Sequence, residues 1–143
     1  MNRALVIAYH FPPDSSIGTY RTLKFVKYLR EYGWECVVVT VNPKYEPLEP
    51  KDQELLNEVP PTTVVLRTGS ISPLQASSRL VRGILKWLSF PDRQGGWFPF
   101  ALWNAWRAVQ QYRPAVIYTT APPFTGSLVG LALTYLTKIP LIS

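Results

Sequence analysis

Residues suited to chemistry crowd into the run Tyr9-His10-Phe11-Pro12-Pro13-Asp14-Ser15-Ser16-Ile17-Gly18-Thr19-Tyr20-Arg21. The imidazole of His10 can exchange a hydrogen bond with a hydroxyl or a phosphate oxygen near neutral pH. Gly18, at a helix start, lets backbone N–H groups come close to an anion. Arg21, on the first turn, offers a fork of donors to a phosphate. Each residue also has a plainer reading. His10 can plug a strand end, Gly18 can open a helix, and Arg21 can be a solvated cation. Pro12 and Pro13 shape the loop and carry no chemistry of their own. A second cluster, Thr119-Thr120-Ala121-Pro122-Pro123-Phe124, again sets hydroxyls beside paired prolines. Thr119 and Thr120 can bond a sugar, or close the local turn themselves.

Both clusters follow short apolar runs that read as buried strands, Ala4 to Tyr9 and Ala115 to Tyr118. Both precede helical patterns. The first runs from about Gly18 to Tyr32 with Gly18, Thr22, Phe25, Val26, Leu29 and Tyr32 on one face, and stops at Gly33. The second runs from Thr125 to Thr137. Between them the spacing predicts a strand at Glu35 to Val41 and a short one at Val64 to Leu66. Asn42 to Pro61 is a proline-rich, charged excursion with one helical turn near Asp52 to Asn57. Helices are expected at Ala76 to Ser89 and Phe100 to Tyr112, the latter with Leu102, Trp103, Trp106 and Val109 on its apolar face, and a loop at Phe90 to Pro99. A fifth strand is expected at Ile139 to Ser143.

Strands alternating with helices predict an α/β fold, a Rossmann-like doubly wound parallel sheet of about five strands in the order 3-2-1-4-5, with helices on both faces. Its switch point lies between strands one and four, so the two proline loops are expected to face one another across a crevice.

Composition narrows the choice of ligand. The 143 residues suit one domain, and 47% of them are apolar, ample for a core. Fifteen Lys and Arg against nine Asp and Glu give +6, which favours anionic partners or simply a solvated basic surface. The basic residues are scattered, which argues against nucleic acid. Cys36 lies in a core strand and reads as a buried, inert thiol. No Gly-x-Gly-x-x-Gly follows strand one, and strand two ends in Asn42 rather than an acid, so a nicotinamide site is not expected. No P-loop and no Gly-x-Ser-x-Gly elbow occur. One histidine and one cysteine cannot build a metal cluster, and no cofactor is expected. No apolar run reaches the ~20 residues of a spanning helix, and the amino terminus lacks the pattern of a signal peptide. The expected location is cytoplasmic, with at most peripheral contact at the inner face of the membrane.

Arg79 to Tyr112 holds four of the five tryptophans together with basic residues. Aromatic and basic side chains suit a membrane interface, with Trp97 and Phe98 the candidates for contact; ordinary helix packing is the other reading.

Tyr9-His10-Phe11-Pro12-Pro13-Asp14 with Ile17-Gly18 and Arg21, Pro91-Asp92 before Trp97, and Arg113-Pro114 leading through Val116-Ile117-Tyr118-Thr119-Thr120-Ala121-Pro122-Pro123 together resemble the amino-terminal domain of family-four-like glycosyltransferases. The resemblance spans the whole chain. Ala115 departs from it, standing where the family usually has an aspartate. The resemblance implies one half of a two-domain GT-B architecture, with residues 1–143 as the acceptor-binding domain. The donor-binding carboxyl-terminal domain would lie outside a stretch cut at or just after strand five. It implies an enzyme that moves a sugar from a nucleotide-sugar donor to a glycan or lipid-linked acceptor, with retention of configuration and without a bound metal. The cleft residues it points to are His10, Pro12, Pro13, Asp14, Ile17, Gly18, Arg21, Thr119, Thr120, Pro122 and Pro123. Catalytic residues are not identified, and this stretch alone is expected to be inactive. The residues themselves leave a second reading open, a non-catalytic α/β module that binds a nucleotide or phosphorylated ligand.

Overall fold

The structure, a computed structural model, describes residues 2–46, 50–71, 78–80, 83–84 and 92–143. Its strands are β1 (Asn2–Ile7), β2 (Trp34–Val41), β3 (Val64–Thr68), β4 (Val116–Thr119) and β5 (Leu141–Ile142), and its longer helices are α1 (Ile17–Glu31), α2 (Phe98–Tyr112) and α3 (Phe124–Thr137). All neighbouring strands are parallel, in the order β3-β2-β1-β4-β5. The expected topology is therefore present.

Strand alternation sorts the core into two layers. Leu5, Ile7, Val37, Val39 and Ile117 face α2 and α3 and pack with Ala101, Ala105, Val129 and Leu133. Ala4, Val6, Ala8, Cys36 and Val38 face the other way and pack with Phe11 and with Val26 of α1. Burial on both faces is why β1 and β2 read as unbroken apolar runs.

The face expected of α1 is largely the one it buries, with Thr22 and Val26 inside and Leu29 packed on the core, whereas α2 is turned from expectation. In α1 the buried residues are Thr19, Thr22, Leu23 and Val26, while Phe25 stacks on Tyr118 at 3.9 Å and Tyr32 is exposed beyond the helix end. Gly33 does end the helix, at φ 77°, a backbone that a side chain makes costly. In α2 the core side is Ala101, Ala105, Ala108 and Val109, and Trp103 and Trp106 lie outside. Small residues let this helix sit close on the sheet. Pro99 is at the helix start rather than in a loop, where its missing N–H costs nothing. The turn expected near Asp52 to Asn57 is a 3-10 helix at Glu54–Glu58. Most of the helix expected at 76–89 lies outside the described residues.

Leu128, Leu131 and Tyr135 leave an apolar side of α3 exposed, and Ile142 is exposed on β5 at the sheet edge. Among the described residues no helix is long and apolar enough to cross a membrane.

Candidate functional site

The chain leaves β1 toward its own first helix through a loop stapled by one carboxylate. Asp14 accepts the Ser16 N–H at 2.8 Å and the Ser16 hydroxyl at 2.9 Å, and pairs with His10 Nδ1 at 2.6 Å. Burial alone would raise the Asp14 pKa, but the His10 and Ser16 hydrogen bonds together hold it below its usual value. Ser16 stands just before α1, so Asp14 puts its charge beside the helix amino terminus, where a carboxylate is favourable.

His10 is packed on two sides. Its ring meets Tyr9 edge-on at 5.2 Å, and a Cβ on Gly18 would stand 3.3 Å from its Cδ2. The close approach that Gly18 permits is thus to His10. The side-chain space that Gly18 leaves open is taken by the imidazole, and the protein's own Asp14 carboxylate sits at the helix start.

Further side chains that the linear sequence did not single out hold this loop from outside. Arg67, on β3, donates from Nη2 to the Pro12 carbonyl at 2.6 Å. The Asp52 N–H donates to the Pro13 carbonyl at 2.7 Å, and the Ser15 N–H to the Pro50 carbonyl at 2.9 Å. Pro12 and Pro13 therefore act through their carbonyls as well as their rings. Arg67 is desolvated enough to lower its pKa, and its Nη1 is buried without a partner among the described residues. A small pocket opens beside His10 at the carboxyl ends of β1 and β2, lined by Tyr9, His10, Asp14, Val41, Glu46 and Lys51. The Tyr9 hydroxyl donates to the Glu46 carboxylate. Tyr9, Glu46 and Lys51 carry no motif, because only the fold brings Glu46 and Lys51 beside the loop.

The loop after β4 does face the first one. Arg21 Nη1 donates to the Ala121 carbonyl at 2.9 Å and to Thr120 Oγ1 at 3.4 Å. Thr119 is a correction. It is buried, its hydroxyl has no partner among the described residues, and its methyl presses on Gly130 of α3, so it cannot offer a hydroxyl to a sugar. Pro123 is buried at the start of α3 while Pro122 is exposed. Asp92 caps this helix from outside it, accepting the Thr125 N–H at 2.8 Å and the Thr125 hydroxyl at 2.6 Å. Ile17 and Phe124, the first residues of α1 and α3, are 85% and 58% exposed on this rim. The pocket lies on the β2 side of His10, whereas Arg21 ties α1 to the loop after β4.

Trp97 is corrected as a membrane contact. It is 0% exposed, its indole N–H donates to Thr68 Oγ1 at 2.6 Å, and its ring meets Tyr9 edge-on at 5.2 Å. An amphipathic ring with one satisfied donor is a core anchor. Phe98 is half-buried against the same core. Among the described residues the exposed tryptophans are Trp103 and Trp106, 59% and 39% accessible and stacked at 5.6 Å on the outside of α2.

Cys36 is buried, and desolvation pushes its thiol up to about 11, so it is not a nucleophile. Among the described residues no group of three or more His, Cys, Asp or Glu is placed to hold a metal ion. Compared with protein-family models, the chain matches none, and it has no match among curated proteins.

Proposed function

We propose that the chain is the acceptor-binding half of a retaining GT-B glycosyltransferase, serving transfer of a sugar from a nucleotide-sugar donor to a glycan or lipid-linked acceptor. One observation carries the reading. The three separated segments that bear the family resemblance are tied into a single edge of the sheet: Arg21, on the first turns of α1, holds the loop after β4, and Asp92 caps the helix that follows that loop. That edge is the carboxyl edge at the switch point between β1 and β4, where open α/β sheets take their ligands.

The manner of capping favours an acceptor over a phosphate. Asp14 and Asp92 already occupy the positive amino ends of the two helices that open on this edge. A phosphorylated ligand would meet two carboxylates there. This weakens the alternative of a nucleotide-binding module and supports a reading in which the donor diphosphate is bound mainly by a second domain. The exposed Ile17 and Phe124 suit the rim of a cleft that such a domain closes. The apolar outer side of α3 suits contact with a further protein surface. For peripheral membrane contact the surface that fits is the Trp103–Trp106 pair, with Arg107 one turn on from Trp103.

The test is release of free nucleotide from a panel of nucleotide sugars. The 143-residue chain is expected to release none, since transfer needs donor and acceptor held in register, an effect on the order of 7–11 kcal/mol in the best cases. The full reading frame that contains it is expected to turn over, and to lose turnover with Gly18→Trp, which would drive a ring into His10. Turnover by the 143 residues alone overturns the half-site reading.

A further inference from the structure

We propose that His10 Nε2, aimed by Asp14, accepts a hydrogen bond from one hydroxyl of a neutral polyhydroxylated ligand that reaches into the small pocket beside β1 and β2. Three contacts decide what the imidazole presents. Asp14 takes Nδ1, Gly18 lies against Cβ, Cγ and Cδ2, and the Tyr9 ring meets it edge-on. Only the Cε1–Nε2 edge is left, and Nε2 makes no hydrogen bond to any described residue. A carboxylate is an acceptor only, so Nδ1 must carry the proton. In the neutral ring the lone pair then lies on Nε2, as in carboxylate–histidine pairs that set a tautomer. Asp14 is itself held by two further hydrogen bonds from Ser16, so the orientation is anchored to the start of α1.

The rest of the lining says which ligand suits it. Lys51 supplies a donor, with no ion pair among the described residues, and Glu46 supplies a carboxylate that receives the Tyr9 hydroxyl. A mixture of acceptors and one donor matches hydroxyl groups, each of which donates and accepts. A dianionic phosphate has no proton for Nε2 and would meet the Asp14 and Glu46 carboxylates. The class of ligand rests on the sugar-acceptor reading above; the tautomer does not.

His10 is the only histidine, so its ring nitrogens can be read without assignment in long-range proton–nitrogen correlation spectra. At mildly alkaline pH the native chain is expected to show the Nδ1–H tautomer. Asp14→Asn is expected to shift it toward Nε2–H. Ser16→Ala, which spares the Asp14–His10 contact, is expected to keep the native tautomer and so controls for loop disturbance. Titration with methyl α-glucopyranoside and methyl α-mannopyranoside is expected to move the Nε2 resonance saturably with at least one of them. Asp14→Asn is expected to bind that glycoside about tenfold more weakly, the loss of roughly one hydrogen bond. An Nε2–H tautomer in the native chain, or one unmoved by Asp14→Asn, overturns the positioning. The right tautomer with no saturable shift from either glycoside overturns the hydroxyl site. A saturable shift, together with no nucleotide release by the full reading frame, fails the transferase reading and leaves this site standing.

Discussion

The loop between β1 and α1 and the loop between β4 and α3 share a plan: a central parallel strand, paired prolines with cis peptide bonds, and a helix directly after. They are held together differently. The first has a staple of its own residues, Asp14 reaching His10 four positions back and Ser16 two positions on, to which Arg67, Asp52 and Pro50 add bonds from farther along the chain. The second has no side-chain cap from its own cap residue, Pro123. Its helix is capped by Asp92, thirty-three residues away, and its carbonyl at Ala121 is bound by Arg21, a hundred residues away. A loop with a local staple can form as soon as its neighbours do. A loop without one takes its shape only when distant segments dock, so its geometry reports on the packing of the whole domain.

The largest expected effect is on the segment that carries the distant cap. Trp97→Ala removes the core anchor five residues from Asp92, and it should cost about 3–5 kcal/mol in a urea titration. A loss below about 1 kcal/mol would mean that this segment does not hold the second loop. Next come the two carboxylates compared directly. Asp92→Ala strips a charge-assisted cap from α3 and should cost about 1–3 kcal/mol, with faster exchange of the Thr125 amide. Asp14→Ala should cost about 1–2 kcal/mol, with amide changes confined to the first loop and the start of α1. Equal disturbance of both loops by Asp14→Ala would break the contrast between a local and a distant staple.

The pH dependence is smaller and sharpens the same point. The folded Asp14 pKa lies below its ordinary 3.8, so its contribution is present above that value and is lost as pH falls through the folded one. Asp14→Asn should therefore flatten the acid limb of stability below about pH 4, measured by urea midpoints across that range. A limb of unchanged slope would show that the His10–Asp14 pair is not formed in the native protein. Smallest is Arg21→Gln. This exposed side chain should cost no more than about 0.5 kcal/mol, and its effect should appear as shifted amide resonances at Thr120 and Ala121. Silence at those amides would remove the tie between α1 and the second loop.

Much of the architecture was legible because it depends on local pattern. Apolar runs interrupted by prolines and glycines mark parallel strands buried on both faces, and the right-handed crossover then restricts their order. The site was less legible. Gly18, His10 and Asp14 stand out in the sequence but their mutual contacts do not, and for Thr119 and Trp97 the sequence leaves open both a ligand- or membrane-facing role and a packed one, of which the fold takes the packed. A threonine or tryptophan between polar neighbours carries no local mark of burial; its exposure depends on which helix lands on it. Arg67, Glu46, Lys51 and Asp92 act on loops far along the chain, and a single sequence holds no periodicity that spans such separations.

By itself, then, the sequence determined the strands of this domain, their parallel order, the stop at Gly33 and the spacing that lets Asp14 reach His10 and Ser16, since all of these follow from backbone preference and residue spacing within a few turns. Tertiary structure decided which face each helix buries, that Trp97 belongs to the core, that Asp92 caps α3, and that the pocket opens beside β2. Those outcomes turn on side chains meeting across 30 to 100 residues, where close packing and the need to pair buried polar groups select one arrangement among several that local preference allows equally.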